Sequence, residues 1–285
     1  EFASLSEGCK ILGLSVATYH YKPKRDPVKK MSEEADLRSQ IEKIHYDNPT
    51  YGYRRIHEQI LLDTGEIINT KKIRRVMRKF ELWPVYYKKF KIQTTDSNHN
   101  EPIYPNLIQE MSIDNINQVW VADITYIRLE TTFVYLAAIM DLYSRRVIGW
   151  AISKKIDQSL CLRALEMAIE RRKPPRGVIH HSDRGVQYAS QAYTQMLKDH
   201  GFHISMSSAG NPYDNAFCES LMKTLKYEEI LLKDYQTMTD VLENLPIFIE
   251  EVYNKKRLHS SLGYKSPEMF EVQIKTMAER PILKI

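Results

Sequence analysis

The sequence predicts two folded parts of different class, a basic helical front and an α/β domain behind it, and three observations lead there. The 285-residue chain is 43% hydrophobic and 27% charged, the balance of a protein that buries a core. Its charge is lopsided: residues 1–100 hold 19 Lys and Arg against 13 Asp and Glu, while residues 101–285 hold 22 against 23. The hydrophobic period also changes, from helical spacing in the front to runs rich in β-branched and aromatic residues after residue 117. A module that meets a polyanion, joined to a module with another task, fits that division.

In the front, "CKILGLSVATYHYKP" (9–23) reads as a helix ending at Leu12 and Gly13, then a short helix that Ser15 opens and Pro23 stops. From Ser32 a helix places Leu37, Ile41 and Ile44 on one face. "RRIHEQILLDTG" is closed by Gly65, and "NTKKIRRVMRKFELWP" is expected to be capped by Thr70 and to end before Pro84. The last helix sets Lys71, Lys72, Arg74, Arg75, Arg78 and Lys79 around Ile73, Val76 and Phe80. A helix this basic suits a phosphate backbone or a major groove. Residues 91–116 are polar, carry two prolines and read as a linker.

Behind it, the segments 118–130, 132–143 and 145–153 form an expected antiparallel meander. A helix follows over 158–172, then a strand (177–183), a helix (190–201), a strand (202–207) and the helix that contains Glu219. Three strands, helix, strand, helix, strand, helix is the element order of a ribonuclease H-like α/β fold. Two further helices, over 239–257 and 266–277, close the chain.

No apolar run approaches the ~20 residues that span a bilayer, and the start lacks the order of a signal peptide, so a cytoplasmic protein without a membrane partner is expected. The chain opens on Glu1 rather than Met, as the back portion of a longer product or a cloned fragment would. Cys9, Cys161 and Cys218 are odd in number and have no CxxC or Cys/His spacing, which argues for free thiols.

Three acids stand where that element order could bring them to one cation. Asp123 breaks the alternation of "VWVADITYI", and an ionised carboxylate inside a strand is costly unless it is paired or metal-bound. Asp183 follows the strand "VIHHS", at the kind of strand end where α/β sheets present ligands. An Arg partner for Asp123 and a turn or cap role for Asp183 are the simpler readings. On its helix, Glu219 falls with Lys223 and Lys226 on a polar face, opposite an expected core face of Phe217, Leu221 and Leu225. A surface Glu219–Lys223 pair worth ~0.2–0.5 kcal/mol is its simpler reading.

"WVADITYI", "YLAAIMDLYSRRVIGWAIS", "HHSDRGVQYAS", "SMSSAGNPYDNAFCESLMKTLKYE" and "YNKKRLHSSLGYKSP" resemble, in order, the blocks of the DDE transposases of the insertion sequence three family, second-frame product, in the superfamily of retroviral integrases. The 35 residues between Asp183 and Glu219 match the spacing for which that superfamily is known. The resemblance covers nearly the whole chain, residues 46–90 being similar to the helix-turn-helix-like segment before the core.

The resemblance implies an α/β, ribonuclease H-like (integrase core) catalytic domain behind a helical DNA-binding region. The expected parts are a partial helix-turn-helix-like segment (1–30), a helical DNA-binding domain (31–90), the linker (91–116), the catalytic core (117–235) and a C-terminal helical extension (236–285). It implies that Asp123, Asp183 and Glu219 hold Mg²⁺ or Mn²⁺, two ions per site, for cleavage and strand transfer at phosphorus, and carboxylates do suit such hard cations. Water as nucleophile leaves a nick with a 3′-OH, and that 3′-OH as nucleophile gives joining. Lys226 is expected to touch a transposon-end phosphate, and Arg257 and His259, in the last of the blocks, are expected to touch DNA, with helix-surface or capping roles as equal readings. His181 and Ser182 would shape the surroundings of Asp183, His180 reads equally as a packed strand residue, and Asn211, Asp214 and Asn215 would organise the turn before the catalytic helix. Partners are double-stranded DNA, as terminal inverted repeats and target, and at least a second copy of the chain. The setting is the bacterial cytoplasm, at the nucleoid when the protein is on DNA. A catalytically silent, transposase-derived DNA-binding regulator is the alternative, and a missing carboxylate would have favoured it. A plain ribonuclease H shares the fold but not the basic front.

Overall fold

The computed structural model describes residues 4–21, 26–85, 101–207 and 216–278. The chain divides into two compact units, Glu1–Val85 and Tyr86–Ile285.

The first unit is helical: α1 (Leu5–Ile11), α2 (Val16–His20), α3 (Pro27–Asp47), α4 (Tyr53–Thr64) and α5 (Thr70–Lys79). Ser15 caps α2 by accepting from the Thr18 N–H, as its position in the sequence suggests. Helix α3 starts earlier than Ser32, because Asp26 already caps it through the Val28 N–H at 2.9 Å. The cap of α5 is Asn69, whose side chain accepts from the Lys71 N–H at 2.8 Å, and not Thr70. Asn is the better cap, so it takes the position. Gly65 ends α4 in the left-handed region, with φ of 74°, where a side chain would be strained. Leu37, Ile41 and Ile44 of α3, Ile56 and Ile60 of α4, and Ile73, Val76 and Met77 of α5 are all buried. That leaves the charged residues of α5 outside.

The second unit is built on a five-stranded sheet of order β3-β2-β1-β4-β5. Strands β1 (Val119–Arg128), β2 (Phe133–Asp141) and β3 (Val147–Ser153) form the expected antiparallel meander. After α6 (Gln158–Arg172), β4 (Ile179–Ser182) pairs with β1 in parallel. A short helix too brief to show a period in the sequence, α7 (Val186–Ala189), and α8 (Gln191–Asp199) lead to β5 (His203–Met206), parallel to β4. Alternate residues of β1 serve two cores: Trp120, Ala122 and Ile124 face α6, α7 and α8, while Val119, Val121 and Ile127 face the helices that follow. Gly149 of β3 permits the close approach of α6, since a Cβ there would lie 2.2 Å from the Ala164 carbonyl oxygen.

Helix α9 (Ala216–Leu225) runs into a π-helical stretch (Lys226–Ile230) and a last turn, α10 (Leu231–Lys233). Helix α11 (Met238–Ile247) likewise continues as a π-helical stretch (Phe248–Tyr253) just after Pro246, and α12 (Pro267–Ala278) follows. The chain before α12 is structural. Buried Asn254 accepts from the Val147 N–H at 3.0 Å and donates to the Val147 carbonyl at 2.9 Å, pinning β3. Buried Glu271 of α12 meets Arg172 of α6, Arg146 and the Ser144 hydroxyl.

Part of the expected linker belongs to this unit. The Leu107 N–H donates to Ser205 Oγ at 2.9 Å, and Ile108, Met111 and Ile113 pack on the α9 side of the sheet. Their apolar side chains have no period to reveal this, because the segment buries them without forming a helix or strand. Among the described residues, no helix is long and apolar enough to cross a membrane.

Candidate active site

Strand register brings the first two acids together. The β1–β4 pairing runs Val119 to Ile179 through Ala122 to Ser182, so the next step along both chains is Asp123 beside Asp183. Adjacent strands lie about 4.8 Å apart. Asp123 also falls on the α9 side of β1, the side of Val119, Val121 and Ile127, and α9 carries Glu219 in its first turn. The acids feel one another. Burial, then the charge of Asp183 and more weakly that of Glu219, push the Asp123 carboxyl up to about 8, against the Ile124 N–H and Lys226, which favour its ionised form. Asp123 Oδ1 accepts from that N–H at 2.8 Å. No Arg pairs with it among the described residues.

Asp183 Oδ1 accepts from the Gly185 N–H at 3.0 Å, so it also shapes its own turn. Beside it, the Ser182 hydroxyl donates to the Asp183 carbonyl at 3.0 Å and His181 Nδ1 lies 2.8 Å from Ser205 Oγ. His180 is a packed strand residue, 2.9 Å from the Tyr193 hydroxyl, and burial pushes its imidazole down to about 3. Asp141, at the far end of β2, is wholly buried and accepts from the Asn117 and Ser144 N–H groups, which makes it a turn anchor. Asn211, Asp214 and Asn215 lie outside the described residues.

Glu219 is exposed on α9 and forms no ion pair with Lys223 among the described residues; Lys223 lies over the Tyr227 ring instead. The core face of α9 is Cys218, Leu221, Met222 and Leu225, one residue round from the expected one. Phe217 is exposed and packs under the Arg145 guanidinium, 4.3 Å from its ring centroid. Cys218 is buried in the core beside Glu219, and Cys9 and Cys161 are also buried and free. Among the described residues, no three His, Cys, Asp or Glu side chains close into a metal-holding group.

Lys226 opens the π-helical stretch, and its Nζ sits 3.8 Å over the Tyr126 ring. Burial pulls its ammonium down while Asp123 pulls it up, which places the two within electrostatic reach. Arg257 and His259 turn out to be interior. Arg257 is 6% exposed and donates through Nε and Nη2 to both oxygens of Glu228, at 2.6 and 2.7 Å. His259 is 8% exposed and packs edge-on against Tyr253. This corrects the expected DNA contact, because both side chains are engaged inside the protein. Sequence reasoning also passed over Tyr126, Arg128 and Tyr227, which only the end of the β4 pairing exposes as neighbours of Lys226.

On α5, Lys71, Arg74, Arg75, Arg78 and Lys79 are exposed and Lys72 partly so. Lys79 lies 2.5 Å and Arg75 3.9 Å from Glu34 of α3, and Arg74 lies over the Tyr53 ring.

A mixed sheet of this order, with two acids at the end of its central parallel pair, is a ribonuclease H-like α/β domain, here in one chain with a basic helical unit. Integrase core domain models match residues 114–212 and 200–267, and an HTH-like domain model matches residues 32–90. The chain is 35% identical over 272 residues to an insertion element IS600 uncharacterized 31 kDa protein of Shigella sonnei, covering 95% of this chain and 99% of that one. It is 36% identical to the transposase for insertion sequence element IS904 of Lactococcus lactis, over 87% of this chain and 98% of that one. To the transposase InsF for insertion sequence IS3A of Escherichia coli it is 38% identical, over 78% of this chain and 76% of that one. A solved HTLV-2 integrase catalytic core domain in complex with magnesium is similar at 16% identity and a TM-score of 0.40, over 53% of this chain and 94% of that one. The chain belongs to the IS3 family of transposases and is a DNA transposase.

Proposed function

We propose that Asp123, Asp183 and Glu219 are the catalytic carboxylates of this transposase and hold Mg²⁺ or Mn²⁺, two ions per site, for cleavage at transposon ends and joining of the freed 3′-OH. The observation that carries the reading is the register that sets Asp123 beside Asp183 on the α9 side of the sheet. The donor set fits such ions: it is all carboxylate, and a divalent cation would offset both the burial and the smaller repulsion from Asp183 and Glu219 that raise the Asp123 carboxyl. Bound there, the ions would assist the attacking oxygen and stabilise the leaving one.

The chain's own cations position the DNA. Lys226, held on Tyr126 beside the acids, meets a phosphate next to the reacting one. Lys71, Lys72, Arg74, Arg75, Arg78 and Lys79 of α5 meet the backbone or groove of the end. Two terminal inverted repeats and a target must be held together, so at least two copies act on DNA, in the bacterial cytoplasm and at the nucleoid. The chain carries all three carboxylates of the proposed set, and nothing favours the silent regulator.

Glu219→Gln tests the reading, since the amide keeps the shape and loses the charge. It is expected to abolish cleavage and joining of end DNA in Mg²⁺ while binding stays within about twofold on a gel-shift assay. Joining at the parent rate would overturn the assignment.

A further inference from the structure

The turn between β2 and β3 brings a cation to the first turn of α9. The Leu142 N–H donates to the Val119 carbonyl at 2.9 Å, so the turn lies at the end of the sheet where β1 begins. Within it Arg145 takes a φ of 60°, in the left-handed region that favours Gly and strains a residue with a Cβ. Asp141 enforces that geometry: its N–H donates to the Arg146 carbonyl at 2.9 Å, and its Oδ1 accepts from the Ser144 N–H at 2.9 Å. Burial pulls the half-buried Arg145 guanidinium below its usual value, and Tyr253, Cys218 and Asp141 draw it back up. Among the described residues no carboxylate forms an ion pair with it, since Glu268 and Glu271 go to Arg146. The strained backbone and the half-buried cation are both costs that a Gly in this turn would not carry. What the side chain meets is the ring of Phe217, 4.3 Å from ring centroid to guanidinium carbon. That is within the ~6 Å reach of a cation–π contact.

Phe217 sits where a contact can set the roll of α9. At about 100° per residue, Phe217 and Glu219 flank the buried face of Cys218, Leu221, Met222 and Leu225 on its two sides. Apolar packing is non-directional, so that face fixes the helix on the sheet more firmly than it fixes rotation about the helix axis. A cation–π contact is directional, because the guanidinium must stay over the ring. A roll that carries Glu219 toward or away from Asp123 moves Phe217 across Arg145. The two side chains are about 3 Å apart along the axis, so the helix transmits the constraint as a rigid body. Past the far end of α9, Lys226 lies over the Tyr126 ring of β1, a contact of the same kind with the partners exchanged.

We propose that Arg145 is a positioning residue for strand joining: by holding the Phe217 ring it fixes the roll of α9 and with it the place of Glu219 relative to Asp123. The proposal rests on the catalytic reading above, because Arg145 reaches the reaction only through Glu219.

The test uses three variants of the full chain. Arg145→Gly relieves the turn and removes the cation, Phe217→Leu removes the ring, and Phe217→Tyr keeps it. The Tm of Arg145→Gly is expected within about 3 °C of the parent, since relief of the turn offsets the lost stack. Amide hydrogen exchange of the free protein, read on peptides covering residues 216–225, should be faster in Arg145→Gly and Phe217→Leu and parent-like in Phe217→Tyr. With Mg²⁺ and saturating protein, joining of end DNA by the first two should fall about 10- to 100-fold, the scale of a small misplacement of a reacting group. Their affinity for end DNA on a gel-shift assay should stay like the parent's. The double variant should join no more slowly than the slower single one, because both changes remove the same contact. Parent-like exchange over 216–225, parent-like joining by Phe217→Leu, or additive losses in the double variant overturn the proposal. Weakened end binding by Arg145→Gly with parent-like exchange makes Arg145 a DNA contact and overturns it too. Joining by Glu219→Gln at the parent rate fells the catalytic reading, whereas exchange in the free protein tests the Arg145–Phe217 contact by itself.

Discussion

A carboxylate set partly inside a sheet beside two others keeps its proton to unusually high pH, and Asp123 does so up to about 8. The ordinary value is 3.8, so the folded protein binds this proton more tightly than the unfolded chain. The group's contribution to stability is therefore intact below about pH 4 and is lost as pH rises toward about 8. In chelator, the gain in Tm of Asp123→Asn over the parent should be small near pH 5 and largest at pH 8 and above. Mg²⁺ should close that gap at pH 8 by stabilising the parent alone. A gain that does not grow with pH would mean that the acids do not interact as described.

The helical element that carries Glu219 changes pitch at Lys226, and a nearly buried ion pair ties the stretch that follows to Arg257. Glu228, within the π-helical stretch, receives both Arg257 bonds in a nearly closed environment, with side-chain exposures of 14% and 7%. Removing one partner of such a pair leaves the other buried and unpaired, which typically costs about 3–5 kcal/mol. Arg257→Ala should lower Tm markedly, at roughly 2–4 °C per kcal/mol for a unit of this size. Replacing both partners with Leu and Met should recover much of the loss. Because Arg257 is inside, the salt dependence of DNA binding should not change in Arg257→Ala. A fall in that slope would restore the surface role that the sequence suggested.

For the molecule as a whole, the proposed reading gives each of the two units a part in holding DNA, and salt would tell their contributions apart. Arg74, Arg75 and Arg78 are exposed on α5, whose apolar face is fully occupied by its own unit. Neutralising the three should reduce the salt slope of binding by roughly 0.9 for each phosphate they neutralise in the parent, up to three. On the proposed reading Lys226→Ala removes one phosphate contact beside the acids, so it should reduce joining at saturating protein more than it reduces affinity. An unchanged slope in the triple variant would make α5 a solvated face or a surface for another protein.

Much of this was legible in the residues alone. The meander, the helix over 158–172, the helix ends at Ser15 and Gly65 and the ordered acidic blocks depend on local period, capping and spacing, which a sequence carries directly. Which strand lies beside which is not local. The parallel pairing that sets Asp123 next to Asp183 joins segments 60 positions apart, and the step where β4 ends exposes Tyr126 and Arg128 as neighbours of Lys226. Burial was decided the same way. "YNKKRLHSSLGYKSP" looks like a basic surface when it is read alone, but the tertiary fold buries Asn254, Arg257 and His259 because partners from β3, the π-helical stretch and Tyr253 satisfy them. A polar side chain can enter a core only where such partners converge, and that convergence is a property of the fold.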